Sequence, residues 1–372
     1  YLLGSSPAQA AGGSARAGRP GKVLRARARP FRPAEKTIAG FFRGKTVQGI
    51  RNEIADADTC KEGEINLLLA GKEAAPMTNP LHASCYADQA VQQKVTILEN
   101  VLLADKTYRL RFRCPELAGR VLPGQFLMLR LAGRDDPLIG RPLALYDVLM
   151  DEQGRGQDID VVYIVKGNLT TRLALCQPGV ELDVWGPLGN GFAASPTKQL
   201  IMVAGGIGQT PFLALGKQQL GLQAYGLSGA ANPLSDQVTL CYGARSAGYL
   251  AGLDDFEKAG FDLRIATDDG SRGHHGLVTE VLEEVLAGKP GESSPAERRI
   301  ACCGPEPMME AVAEVAARHD VSCQVSLETP MACGIGICFT CVAKVRETGG
   351  QWDYRRTCVE GPVFDAKCII WD

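Results

Sequence analysis

At 372 residues the chain exceeds what one ordinary core holds and suits two or three domains. Hydrophobic residues make up 45% and charged residues 22%, the balance of a globular protein, and no apolar run reaches the roughly eighteen residues a membrane-spanning helix needs. A formal net charge of −2 supplies no field for nucleic acid or an anionic bilayer, so neither is expected as a partner.

In chain order, residues 1–76 read as a disordered or non-native N-terminal extension. Ala, Gly and Arg dominate residues 8–29, and no sustained period appears before Val95. Met77 is the first methionine and stands as a candidate start; an organelle transit peptide and a native disordered tail are the competing readings. Residues 77–197 read as a small antiparallel barrel, with alternation in Tyr108, Leu110 and Phe112, an apolar run from Gly124 to Leu131, and another from Asp158 to Lys166. Residues 198–327 alternate apolar strands with helices, which predicts a parallel α/β sheet; the strands fall at Leu200–Val203, Val238–Tyr242, Leu263–Thr267 and Ile300–Cys302. Residues 328–372 are Cys- and Gly-rich and too few to fold without a staple. Thirteen cysteines spread through apolar stretches, four of them with metal-type spacing, imply a reducing cytoplasm.

The strongest motif is Cys333-Gly-Ile-Gly-Ile-Cys338-Phe-Thr-Cys341, followed at a distance by Cys358. This is the plant-type spacing for a 2Fe-2S cluster, in which three thiolates share one tight loop and the fourth arrives from elsewhere. A structural zinc site is the alternative, but zinc loops bring their ligands as two short pairs. Cys368, ten residues beyond Cys358, reads as a buried or free thiol.

Next is Ala204-Gly-Gly-Ile-Gly-Gln-Thr-Pro211, between an apolar strand and a helix starting near Phe212. Gly205, Gly206 and Gly208, with Thr210 and Pro211, suit a pyrophosphate at backbone amides. Gly304 and Pro305, in Cys303-Gly-Pro-Glu-Pro-Met-Met309, end a later strand on the same side of the sheet, where nucleotides bind. The turn Asp268–Gly273 ends a third strand and is expected either to line that cleft or to be a solvated turn. In the barrel region, Arg141, Pro142, Leu143 and Ala144 open a strand, Lys166, Gly167, Thr170 and Thr171 form a turn, and Gly186-Pro-Leu-Gly-Asn-Gly-Phe192 forms another. Their order ahead of a nucleotide-type unit suggests a flavin held by an arginine and strand amides. The four histidines offer no metal site.

These residues resemble the ferredoxin-NADP reductase superfamily from Val95 to Asp372, and within it the electron-transfer subunits of two-subunit, NAD-linked dihydroorotate dehydrogenases. The most specific matches are Met331–Cys338, Gly186–Phe192 and Tyr354–Phe364; Ala144 and Gln209 depart from the common pattern. The resemblance implies FAD on the barrel, NAD on the α/β domain, and a separate FMN-containing dihydroorotate dehydrogenase catalytic subunit as partner, assembled as a heterotetramer. It leaves an NAD(P)H-ferredoxin or hydrogenase-linked oxidoreductase as the alternative. Arg245, after the second parallel strand, is the kind of residue that meets a 2′-phosphate, so the residues themselves leave NAD and NADP open.

Overall fold

Period-2 alternation builds the first half of the fold. The strands β1 (Val91–Ala104), β2 (Thr107–Arg113), β3 (Phe126–Leu131), β4 (Arg141–Met150), β5 (Gly156–Ile164) and β6 (Glu181–Leu188) close into an antiparallel barrel in the order β1-β2-β5-β4-β3-β6. Leu110, Phe112, Leu127, Leu129, Leu145, Ile159, Val161 and Val184 fill its interior. The computed structural model describes residues 87–226, 231–288, 294–347 and 349–371, so the N-terminal extension expected over residues 1–76 lies outside the described residues.

Several staves are apolar on both faces, because the barrel is covered from outside. Tyr146 and Val162 project outward into a core shared with the α/β sheet. Phe126 and Met128 project outward against Cys341, Cys358 and Val359. The near-continuous apolar run of β3 therefore reflects two separate burials, one on each side of the strand.

The second half is a sheet of β7 (Thr197–Gly205), β8 (Ser235–Ala244), β9 (Asp262–Thr267), β10 (His274–His275), β11 (Arg298–Cys303) and β12 (Ser322–Ser326), all parallel, in the order β10-β9-β8-β7-β11-β12. Helices Phe212–Gln219 and Leu253–Lys258 pack on one face, and Val278–Ala287 and Glu306–Arg318 on the other. Because β7 has β8 on one side and β11 on the other, the crossovers leave it in opposite directions. A crevice opens there at the carboxyl ends of the strands, the usual place for a ligand in such a sheet.

The Cys-rich segment leaves β12, makes the hairpin of β13 (Val342–Arg346) and β14 (Trp352–Arg356), and returns as β15 (Val363–Asp365), which pairs antiparallel with β12. Its last strand is thus the edge of the nucleotide-type sheet. The barrel holds it too. Asn190 Nδ2 donates to the carbonyls of Val363 at 2.8 Å and Glu360 at 3.3 Å, while its Oδ1 accepts from the Val363 amide at 2.9 Å. Replacing Asn190 with Ala leaves these backbone groups unpaired and is expected to lower stability by about 2 kcal/mol. Chemical denaturation of the two proteins checks this; a loss below about 0.5 kcal/mol, the scatter of ordinary surface changes, would contradict it.

Candidate functional site

Backbone close approach shapes the crevice. Gly208 sits where a Cβ would lie 2.2 Å from the Cys303 carbonyl oxygen, and a Cβ on Gly304 would lie 2.9 Å from the Gly205 amide nitrogen. The loops after β7 and β11 therefore touch through bare backbone, the close approach that a dinucleotide-binding turn uses. Gly205 ends β7, Gly206 and Gly208 lie in the turn between it and helix Phe212–Gln219, and Gly304 and Pro305 lie in the turn after β11. Gln209, beside them, is fully buried with neither amide atom hydrogen-bonded, and nothing in the structure explains this choice over an apolar residue.

A cleft of about 720 Å³ runs from the crevice to the barrel. Arg141, Pro142, Leu143 and Ala144 at the start of β4, with Lys166, Gly167 and Thr170, line its barrel side. Thr210, Pro211 and Cys303 line its sheet side, and Ala332 and Thr340, from the Cys-rich loop, close its far end. Two cationic side chains beside Leu143, Val162 and Pro211 match an anionic ligand that carries a flat apolar ring, so the cleft fits FAD. Arg141 Nη1 donates to the carbonyls of Ile139 at 3.2 Å and Gly140 at 3.0 Å, which fixes its stem at the cleft wall. The Thr170 hydroxyl accepts from the amides of Lys166 at 3.0 Å and Gly167 at 3.1 Å and so locks the turn into helix Asn168–Leu173. Thr171 is exposed on that helix and does not line the cleft. The turn Asp268–Gly273 ends β9 and leans on the end of β8, where the amides of Asp268 and Asp269 donate to the carbonyls of Ala244 at 3.0 Å and Arg245 at 3.2 Å.

Glu328, Ser326 and Cys303 share the cleft wall, and sequence reasoning did not single out the first two. The Glu328 carboxyl opens to the cleft but is crowded by protein, and the resulting desolvation lifts it above the usual carboxylate range while Lys166 pulls it back. Burial pushes the Cys303 thiol well up, so it behaves as an inert packing group.

The four predicted ligand cysteines come together as two pairs. Cys338 lies against Cys333, and hydrogen bonds from the Thr340 hydroxyl and amide bring its thiol down to about 6. The Thr340 hydroxyl is 3.1 Å from Cys338 Sγ, and the Ile335 amide points at Cys333 Sγ from 3.4 Å. Cys341 and Cys358 share a hydrogen bond, which brings Cys341 to about 6 and raises Cys358. Two sulfurs per metal, with thiolates favoured and amides aimed at sulfur, are the donor set of a dinuclear cluster bridged by sulfide, and the site fits one. Among the described residues no three His, Cys, Asp or Glu side chains converge on a single-ion position. Cys368 packs instead with the core of the α/β sheet, apart from the four. Gly334, at φ +75°, carries the ligand loop across the barrel, where a Cβ would lie 2.6 Å from Met128 Cγ.

Known proteins share this arrangement. Residues 328–370 match the iron-sulfur cluster binding domain of dihydroorotate dehydrogenase B, and residues 202–314 match the oxidoreductase NAD-binding domain. The dihydroorotate dehydrogenase B (NAD(+)) electron transfer subunit of Caldanaerobacter subterraneus is 33% identical over 281 residues, covering 75% of this chain and 99% of that one. That of Geobacillus kaustophilus is 35% identical over 287 residues, covering 75% and 98%. The chain belongs to the family of dihydroorotate dehydrogenase B electron transfer subunits. A solved NADH-dependent reduced ferredoxin-NADP oxidoreductase, described for flavin-based electron bifurcation, is 28% identical with a TM-score of 0.59 and covers 75% of this chain and 90% of its own. The barrel-plus-sheet architecture is that of ferredoxin-NADP reductases, and the family's cofactors are FAD, NAD and an iron-sulfur cluster.

Two outcomes follow from the geometry. Changing Cys333, Cys338, Cys341 or Cys358 to Ser is expected to remove iron and acid-labile sulfide from the purified chain, whereas Cys368→Ser keeps both; metal and sulfide analysis reads this directly, and zinc without sulfide in the parent would falsify it. Gly208→Ala forces a methyl onto the Cys303 carbonyl and is expected to weaken NADH binding by about tenfold, or about 1.4 kcal/mol, with FAD retained. Unchanged NADH affinity in that variant would mean that this turn does not hold the dinucleotide.

Proposed function

We propose that this chain relays electrons in pyrimidine biosynthesis, from an FMN-containing catalytic subunit that oxidises dihydroorotate, through a 2Fe-2S cluster and FAD, to NAD. One observation carries the reading: a single cleft is walled by the flavin-type residues of the barrel, the nucleotide-type turn of the sheet and the cysteine loop. Bound FAD would exchange an electron pair, as one hydride, with NAD and single electrons with a cluster, which neither of those partners does with the other.

Each residue role follows from position. Arg141 and Lys166 supply positive charge to an anionic flavin, while Pro142, Leu143, Ala144, Gly167 and Thr170 line its seat. Thr171 supports the turn from behind through its amide bond to the Gly167 carbonyl, 2.9 Å long. The bare backbone of Gly205, Gly206, Gly208 and Gly304, with the Pro305 ring beside Gly205, receives the dinucleotide phosphates, and Thr210 and Pro211 border the nicotinamide end. Cys333, Cys338, Cys341 and Cys358 hold the cluster. In this reading the working units are a flavin domain over residues 77–197, an NAD domain over 198–327 and a cluster module over 328–372.

The cluster loop also explains the need for a partner. Ile337 and Phe339 are 74% and 63% exposed beside the exposed Cys338, an apolar rim suited to a standing complex, and a heterotetramer with the FMN subunit satisfies it. Among the described residues no helix is long and apolar enough to cross a membrane. A cytoplasmic location fits ligand thiols that must stay reduced. A ferredoxin- or hydrogenase-linked NAD(P)H oxidoreductase is the second reading; identity of 33–35% over nearly the whole length of two relatives favours the first.

The assay pairs the chain with its FMN subunit under anaerobic conditions. NAD reduction by dihydroorotate is expected in the pair and absent from this chain alone. Steady turnover without a partner would contradict the relay.

A further inference from the structure

Trp185 stands on β6 with its neighbours Val184 and Leu182 in the barrel core, so its indole points outward. An outward barrel tryptophan is ordinarily packing alone. This one makes two directed contacts. Its Nε1 donates to the backbone carbonyl of Cys333 at 3.0 Å. Its far ring edge abuts Gly140, where a Cβ would lie 2.7 Å from Trp185 Cη2. Gly140 precedes Arg141 and takes a hydrogen bond from its guanidinium, and Arg141 lines the cleft. One indole therefore joins the cleft wall to a ligand loop through packed atoms. It also walls a second cavity, of about 670 Å³, shared with Cys333 and Ile335.

We propose that Trp185 is a positioning residue for electron exchange between the flavin and the cluster, fixing the Cys333 loop and tuning its potential through the indole N–H. This rests on the reading of the four cysteines as a 2Fe-2S site. A donor whose positive end faces a ligand carbonyl favours the more negative, reduced form of the cluster, and partners of this kind are known levers on metal sites. The step it serves is simple in balance: reduced flavin loses one electron, the oxidised cluster gains it, and NADH is the source of the flavin's pair. No bond of Trp185 forms or breaks.

Two variants of the full chain separate the parts. Trp185→Phe removes the donor and keeps an aromatic ring on the outward face of β6, one that stops short of Gly140; Trp185→Leu removes the donor and the ring. Trp185→Phe is expected to keep iron, sulfide and FAD, to shift the cluster midpoint potential downward in a mediated redox titration, and to alter its EPR g-values. Trp185→Leu is expected to slow cluster reduction after mixing with NADH by about tenfold, the scale seen when a ligand's supporting partner is lost. Parent-like potential and g-values in the Phe variant, together with parent-like rates in both, would overturn the proposal. If the Leu variant fails to hold its cluster, the Phe variant decides alone. Absence of sulfide from the parent would sink the cluster reading itself, whereas parent-like potentials in sulfide-containing variants sink only the role of Trp185.

Discussion

The structure depends on a segment that is too short to fold by itself being held between two larger bodies. Residues 328–371 contribute one short hairpin and one edge strand, far less apolar surface than an independent domain of ordinary size buries. The segment is ordered because β15 completes a sheet begun by the nucleotide-type half, Asn190 clamps it from the barrel side, and Met128 presses on the ligand loop at Gly334. Function follows from the same constraint. A cluster carried on a free domain would have to find the flavin by collision, whereas here the end of the cysteine loop is itself a wall of the cleft proposed to hold the flavin.

Charge is managed differently at the cysteines and at the seam between barrel and sheet. Around the cysteines, amides and the Thr340 hydroxyl favour thiolates, as metal ligation requires. Where the barrel meets the sheet, the Tyr146 hydroxyl donates to Asp255 at 2.8 Å, and Lys217 and Tyr225 both pair with Asp147. Buried polar groups at such a seam are costly unless satisfied, and their mutual pairing gives the two halves one defined orientation. That orientation brings the nucleotide turn and the flavin strand to a common cleft.

Much of this was legible in the sequence. The strands at Val238–Tyr242 and Ile300–Cys302 stood out as apolar runs between helices, and both fall inside the observed β8 and β11. The cysteine spacing named its loop because four thiolates in that order have few other uses. What was not legible came from long-range packing. Nothing local in Val363–Asp365 says that it joins a sheet whose neighbouring strand lies some forty residues earlier. Nor does the sequence show that Trp185 reaches Cys333, or that Ser326 and Glu328 line the same cleft as Lys166, since these elements lie far apart in the chain. The Asp268 turn was legible as a strand end, and it does end β9; that it leans on the end of β8 depends on sheet order, which local sequence does not reveal.

The most direct test of the whole account is an electron count on the isolated chain. In an anaerobic titration followed by visible absorption and EPR, the account predicts uptake of three electrons per chain, two by a flavin and one by a cluster, with the spin of one reduced cluster per chain. Uptake of only two electrons with no cluster signal, or of one electron with no flavin bleaching, would contradict it.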